Sequence, residues 1–101
     1  MNLLETYLDA CRATRIAARA TDERERGPLD AAVARELEAE SALAGWVKMA
    51  VGVDPSAPLR RPVAAALDGW LVVVAPHPDN DLSVQRDVVL VLDPRRIARA
   101  G

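Results

Sequence analysis

The stretch LDGWLVVVAPHPDNDLSVQRDVVLVL, residues 67–92, decides the fold of this 101-residue chain. It holds two β-branched runs separated by a polar loop. Asp68-Gly69 stands directly before the first run, and Asp-Gly between apolar segments is a strong signal for a two-residue hairpin turn. The segment before the turn is therefore interpreted as a strand, with a short helix as the alternative. The pattern predicts a small antiparallel β-meander of two or three strands, at about 62–67, 70–76 and 84–92.

Both faces of this predicted sheet are apolar. A sheet with one solvated face alternates apolar and polar residues, whereas a sheet covered on both faces is apolar throughout. One helical hairpin covers one face, so we expect a partner on the other. A homodimer is favoured because a two-fold interface needs only one self-complementary patch; another protein is the alternative. The expected interface residues are Leu71, Val73, Val89 and Val91.

The N-terminal half has the spacing of an antiparallel helical hairpin. Helices are predicted at about 3–20 and 28–51, with Gly27 and Pro28 at the start of the second and Gly52 at its end. Residues 53–61 then form a connector, and the tail 95–101 is expected to fray. The fold class is therefore α+β, an N-terminal helical hairpin followed by the meander, in a single domain over 1–101.

The second helix has one apolar stripe that contains two acids. Glu36 and Glu40 fall inside this stripe, whereas Lys48 is assigned to the polar face. The acids are interpreted as structural partners of Arg12 and Arg15, because buried charges are generally paired. A metal-binding or acid/base pair is the alternative. The stripe is formed by Leu29, Val33, Leu37, Leu43, Val47, Ala50 and Val51.

Composition excludes several classes of protein. Cys11 is the only cysteine, which rules out an intramolecular disulfide and a multi-cysteine zinc site. The formal net charge of −2 and the charged fraction of 28% disfavour a nucleic-acid coat and a disordered chain. We expect a cytoplasmic protein with no membrane association, since no run is long and apolar enough to span a bilayer and no export signal is evident. No cofactor is predicted.

Besides Glu36 and Glu40, chemistry has two further candidate locations, and each has a simpler interpretation. His77, Asp79 and Asp81 could bind a divalent cation, but Pro-Asp-Asn-Asp is also ordinary turn chemistry. Basic clusters could contact phosphates, but solvated surface explains them as well. These clusters are Arg60, Arg61, Arg95, Arg96 and Arg99.

No nucleophile motif or phosphate-binding loop is present in the sequence. The preferred function is a small interaction or accessory module without enzymatic activity. Nucleic-acid binding through the basic clusters is the alternative. An oligomeric enzyme or a metal-binding protein, using Glu36, Glu40 and the His77 loop, is less favoured.

Overall fold

A computed structural model describes residues 2–20, 26–77, 87–93 and 95. Two helices precede a three-stranded antiparallel sheet with the strand order β1-β2-β3. This layout confirms the predicted α+β fold class. Residues 84–86 of the expected third strand and 96–101 of the expected tail lie outside the described residues. The elements are α1 (Leu3–Ala20), α2 (Gly27–Ala50), β1 (Val63–Leu67), β2 (Trp70–Pro76) and β3 (Asp87–Leu92).

The chain divides into two compact units, Met1–Leu43 and Ala44–Gly101. The single domain expected over 1–101 stays a prediction. In the first unit, the Thr14 hydroxyl donates to the Ala32 carbonyl at 3.2 Å, and the Cys11 thiol donates to Glu36 at 3.2 Å. The earlier residue of α1, Cys11, contacts the later residue of α2, Glu36. The two helices therefore run antiparallel, as predicted.

Local sequence explains where the helices begin and end. Asn2 caps α1, because its side-chain oxygen accepts the Glu5 amide at 2.8 Å. At the end of α2, Gly52 takes a φ of 80°, and the Val53 amide donates to the Lys48 carbonyl at 2.8 Å. This left-handed glycine with its backward hydrogen bond forms a Schellman ending at Gly52, where the sequence predicts the end of the helix.

The Asp68-Gly69 turn joins β1 to β2 as predicted. Asp68 has a φ of 50° and Gly69 a φ of 80°, which are the two positive values of a type I′ turn. Leu67 consequently pairs with Trp70. The pairing then continues residue by residue along both strands, as far as Val63 with Val74. The strand interpretation of this segment is therefore confirmed over the helical alternative.

The packed side of α2 differs from the expected stripe. Lys48, assigned to the polar face, is only 4% exposed. The exposed residues among those assigned to the buried stripe are Val33, Leu37, Ala50 and Val51. Apolar residues cover a wider arc of α2 than the part that is buried. The spacing of apolar residues therefore did not show which edge of this arc is buried. The buried α2 positions are Ala32, Ala39, Leu43, Ala44, Val47 and Lys48.

Gly45 lies in the interior of α2, where glycine is unfavourable. A Cβ added at Gly45 would meet the Pro55 Cβ at 3.7 Å, which is an ordinary contact. Gly45→Ala should therefore stabilise the fold by about 0.5–1 kcal/mol, through the higher helix propensity of alanine. Urea denaturation measures this difference. Gly69→Ala is the control and should destabilise, because residue 69 needs a positive φ; a loss of stability in the Gly45 variant would contradict the described packing.

Candidate interaction surface

The register of the sheet sorts its side chains into two faces. Val72 and Val74 of β2 lie opposite Val91 and Val89 of β3. Directly paired residues share a face, and neighbours along a strand alternate. The inner face is formed by Val63, Ala65, Leu67, Trp70, Val72, Val74, Pro76, Asp87, Val89 and Val91. The outer face is formed by Ala64, Ala66, Leu71, Val73, Ala75, Val88, Leu90 and Leu92.

This register divides the interface set expected from the sequence. Two of the four expected interface residues, Leu71 and Val73, lie on the outer face. Val89 and Val91 lie on the inner face, so their assignment to the same surface was wrong. The sequence showed that apolar residues alternate between the two faces of β3. It did not show the register in which β3 pairs with β2.

The inner face belongs to the core of the second unit. Val72 and Val74 are fully buried, and Val89 is buried beside them. Asp87 shares this face and forms an ion pair with Lys48 in the last turn of α2. The end of α2 therefore lies against the inner face of the sheet.

The outer face contains only aliphatic side chains. Leu90 is 51% exposed and Leu92 is 37% exposed. Between them and β1, Leu71 and Val73 are partly accessible, and Ala64 and Ala66 are exposed. Contiguous apolar surface of this kind usually marks a site of association.

Lys48 is the buried charge that the sequence did not reveal. Its amine pairs with the Asp87 carboxylate and donates to the Ala57 carbonyl at 3.0 Å and to the Pro55 carbonyl at 3.5 Å. An ammonium group has three donors, and these acceptors match that number. Lys48 thus ties the end of α2 to the connector and to the first residue of β3. A lysine next to a helix end gives no sequence signal that distinguishes this role from a solvated one.

A second polar contact lies between α1 and α2 in the first unit. The Cys11 thiol donates to Glu36, and Tyr7 and Cys11 share a side-chain hydrogen bond. Burial, the bond to Cys11 and the nearby Glu40 and Glu36 carboxylates raise the pKa of Tyr7 far above its usual range. Burial is also the main cause of the raised pKa of the Cys11 thiol, and Glu36 adds to it. A thiol held protonated is a poor nucleophile.

The described partner of Glu36 differs from the predicted one, and the pairing of Glu40 with an arginine stays a prediction. Arg12 pairs with Asp9 on its own helix at 3.4 Å, and Glu36 instead accepts the Cys11 thiol. Burial and Glu36 raise the pKa of the Cys11 thiol, whereas the Tyr7 hydrogen bond and Arg15, a nearby arginine on α1, lower it. Helical spacing correctly predicted that these residues lie near one another. It did not show which side chain of α1 donates to the Glu36 carboxylate.

The proposed cation ligands do not form a described site. His77 lies at the end of β2, partly buried, whereas Asp79 and Asp81 lie outside the described residues. Within residues 2–20, 26–77, 87–93 and 95, no group of three or more His, Cys, Asp or Glu side chains could hold a metal ion. Glu36 and Glu40 do not belong to such a group among the described residues, and their alternative role as a metal-binding pair stays a prediction.

The arginines considered for nucleic-acid contact are only partly described. Arg60 and Arg61 are exposed in the connector, and Arg95 is exposed beside Asp93, with the closest atoms 4.0 Å apart. Arg96 and Arg99 lie outside the described residues. The described arginines give two neighbouring charges in the connector and one beside a carboxylate.

Comparison with known proteins adds no family to these observations. No protein-family model matches the chain, and no curated protein and no solved structure matches it significantly. In the described part of the chain, neither helix has the length and apolar character needed to cross a membrane.

Removing one partner of the buried Lys48 pair should destabilise the protein strongly. Asp87→Ala leaves the ammonium without its carboxylate in a buried site, which costs about 3 kcal/mol or more. Asp93→Ala removes the exposed contact with Arg95 and should cost less than about 1 kcal/mol. Chemical denaturation of both variants measures the difference; equal losses would show that Lys48 is not buried as described.

Alkaline conditions should also destabilise the fold. The pKa values of Tyr7 and Cys11 are raised in the folded chain, so above the ordinary values of about 8.5 for cysteine and about 10 for tyrosine the unfolded chain loses protons that the folded chain retains. Stability is therefore full at neutral pH and falls as the pH rises through this range. Thermal denaturation from pH 7 to 11 should show a steeper fall than in a Tyr7→Phe/Cys11→Ala variant; parallel curves would contradict the assignment.

Proposed function

We propose that the protein is a small interaction module that self-associates through the outer face of its sheet. The observation that carries this proposal is the composition of that face, which has no polar side chain at any described strand position. Water would otherwise contact a continuous aliphatic surface, and burying apolar area is the main favourable term in protein association. A second copy is the occupant that requires no other component.

Side-chain size favours one arrangement of the two copies. The β1 side of the outer face carries Ala64 and Ala66, whereas the β3 side carries Leu90 and Leu92. A two-fold axis parallel to β2 places β1 of one copy over β3 of the other. Small side chains then face large ones, which is how packed layers interdigitate. An axis perpendicular to the strands would instead place leucine on leucine and alanine on alanine.

The size of the face sets the expected strength. Three strands about 4.8 Å apart, with about six residues each at about 3.3 Å per residue, cover only about 300 Å². A face of this size on each copy buries less than the total of about 1,000 Å² that specific complexes usually exceed, so we expect weak and concentration-dependent association. We therefore expect a dissociation constant in the range of about 1–100 µM.

Sedimentation equilibrium tests the proposal on the chain and two variants. From about 0.5 to 500 µM, a range that brackets the expected dissociation constant, the unmodified chain should change from monomer to dimer. Leu90→Glu should be monomeric, since it places a charge within the apolar face, on its β3 side. Met49→Glu is the matched control, because Met49 is a similarly exposed apolar residue on α2 and not on the sheet.

Each outcome has a definite meaning. A Met49→Glu dimer together with a Leu90→Glu monomer supports the outer face as the interface. A monomer of the unmodified chain throughout the range contradicts self-association. Dimers in both variants place the contact elsewhere and contradict the role of the outer face.

A further inference from the structure

The first strand of the sheet has a free edge. The strand order is β1-β2-β3, so β1 and β3 each have one side without a neighbouring strand in the described part of the chain. In a two-residue hairpin, the residues that flank the turn form a hydrogen-bonded pair, and every second residue then bonds to the partner strand. Leu67, Ala65 and Val63 therefore bond to β2. The backbone N–H and C=O groups of Ala64 and Ala66 point away from β2, to the free side.

These backbone groups are accessible. Ala64 and Ala66 are exposed, and neither amide bonds to another segment within residues 2–20, 26–77, 87–93 and 95. By the same alternation, the groups on the free side of β3 belong to Asp87, Val89 and Val91, and none of these residues is exposed. The edge of β1 is therefore the more accessible of the two.

The sequence of β1 does not protect this edge. Edge strands are commonly protected from pairing by charged side chains, prolines or bulges. β1 is Val-Ala-Ala-Ala-Leu, without a charge or a proline, and its pairing with β2 has no bulge. Its central side chains are small, which leaves room for larger side chains on a neighbouring strand. Pro62, directly before β1, lacks an N–H group and ends the row of donors.

The side chains beside the edge indicate what a further strand would contain. Val63, Ala65 and Leu67 are half-buried on the inner face, and Ala64 and Ala66 are exposed on the outer face. Both rows are aliphatic. Side chains on neighbouring strands contact one another across the sheet, so an added strand with aliphatic residues would gain apolar contacts on both faces.

The charges next to β1 favour an added strand with an acidic end. Arg60 and Arg61 are exposed shortly before β1 and form no ion pair within the described residues. The Asp87 carboxylate, at the same end of the sheet, is already paired with Lys48. In an antiparallel strand, which pairs slightly better than a parallel one, the C-terminal end lies beside the start of β1. Carboxylates at that end would therefore lie near the two arginines.

We infer that the edge of β1 binds an extended segment of a partner protein as an added antiparallel strand. The segment is aliphatic over a length that matches the five residues of β1 and acidic at its C-terminal end. Its backbone pairs with Ala64 and Ala66, and its carboxylates lie near Arg60 and Arg61. The β1 strand of a second copy is a poorer occupant, because it sets alanine against alanine and buries less apolar surface.

Fluorescence anisotropy with labelled peptides tests this inference. The measurement uses the Leu90→Glu variant, so that self-association through the outer face does not interfere. The probe alternates valine with threonine over the length of β1 and ends in glutamates, and its control ends in lysines. The protein should bind the acidic probe more tightly, and the difference should shrink between about 50 and 300 mM salt as the charges are screened.

Proline at the edge tests the backbone pairing. Ala66→Pro removes one N–H on the free side and no hydrogen bond between β1 and β2, and proline is tolerated at such positions of edge strands. This change should weaken binding by about three- to tenfold, the loss expected for one hydrogen bond. Ala66→Val retains the N–H and is the matched control, which should bind at least as tightly as the parent. Circular dichroism and thermal denaturation check that both variants fold.

Charge reversal tests the acidic end independently of the strand itself. Arg60→Glu/Arg61→Glu should weaken binding of the acidic probe by about tenfold or more, because attractive charge pairs become repulsive. Arg19→Glu/Arg35→Glu makes the same change in net charge at exposed arginines of the two helices and should leave binding nearly unchanged.

Several results would overturn the inference. They are absence of binding to the acidic probe at low salt, equal binding by folded Ala66→Pro and Ala66→Val variants, or equal weakening in the two charge-reversal variants. Dimers of the Leu90→Glu chain that Ala66→Pro abolishes would instead assign the edge to a second copy. Sedimentation of the unmodified chain tests the outer face without any peptide, so this inference and the proposed self-association can fail separately.

Discussion

The two-residue turn at Asp68-Gly69 is the constraint on which the rest of the sheet depends. Strand side chains alternate with a period of two, so a shift of the hairpin by one residue would exchange the inner and outer faces. Positive φ values at both turn residues fix the pairing of Leu67 with Trp70. Val72 and Val74 are thereby directed into the core, and Leu71 and Val73 are directed outward. Every proposal about the outer face follows from this parity.

The amount of structure that the sequence could predict varies with the local signal. The β1–β2 pairing was predictable, because a short turn of known type leaves no freedom in register. The β2–β3 pairing was not, since a long polar loop accommodates any offset, and Val89 and Val91 were consequently placed on the wrong face. Helix positions were predictable from spacing, but a wide apolar arc did not show that Val33 and Leu37 are exposed.

Lys48 illustrates a limit of another kind. Its burial depends on three separate parts of the second unit: α2 carries the amine donor, the connector supplies two carbonyl acceptors and β3 supplies the Asp87 carboxylate. No property of the α2 sequence contains this information, because the acceptors are brought together only by the tertiary fold. The same holds for Cys11, whose apolar position on α1 was evident but whose bonds to Tyr7 and Glu36 were not.

Contact between the outer faces of two copies is the central claim, and intermolecular NOEs measure it most directly. In a mixed sample of isotope-labelled and unlabelled chains, isotope-filtered spectra report methyl contacts between copies only. The account predicts cross-peaks between the methyl groups of Ala64 or Ala66 in one copy and those of Leu90 or Leu92 in the other. Intermolecular contacts that involve only residues away from the outer face, or no such contacts at concentrations where the dimer should form, would contradict it.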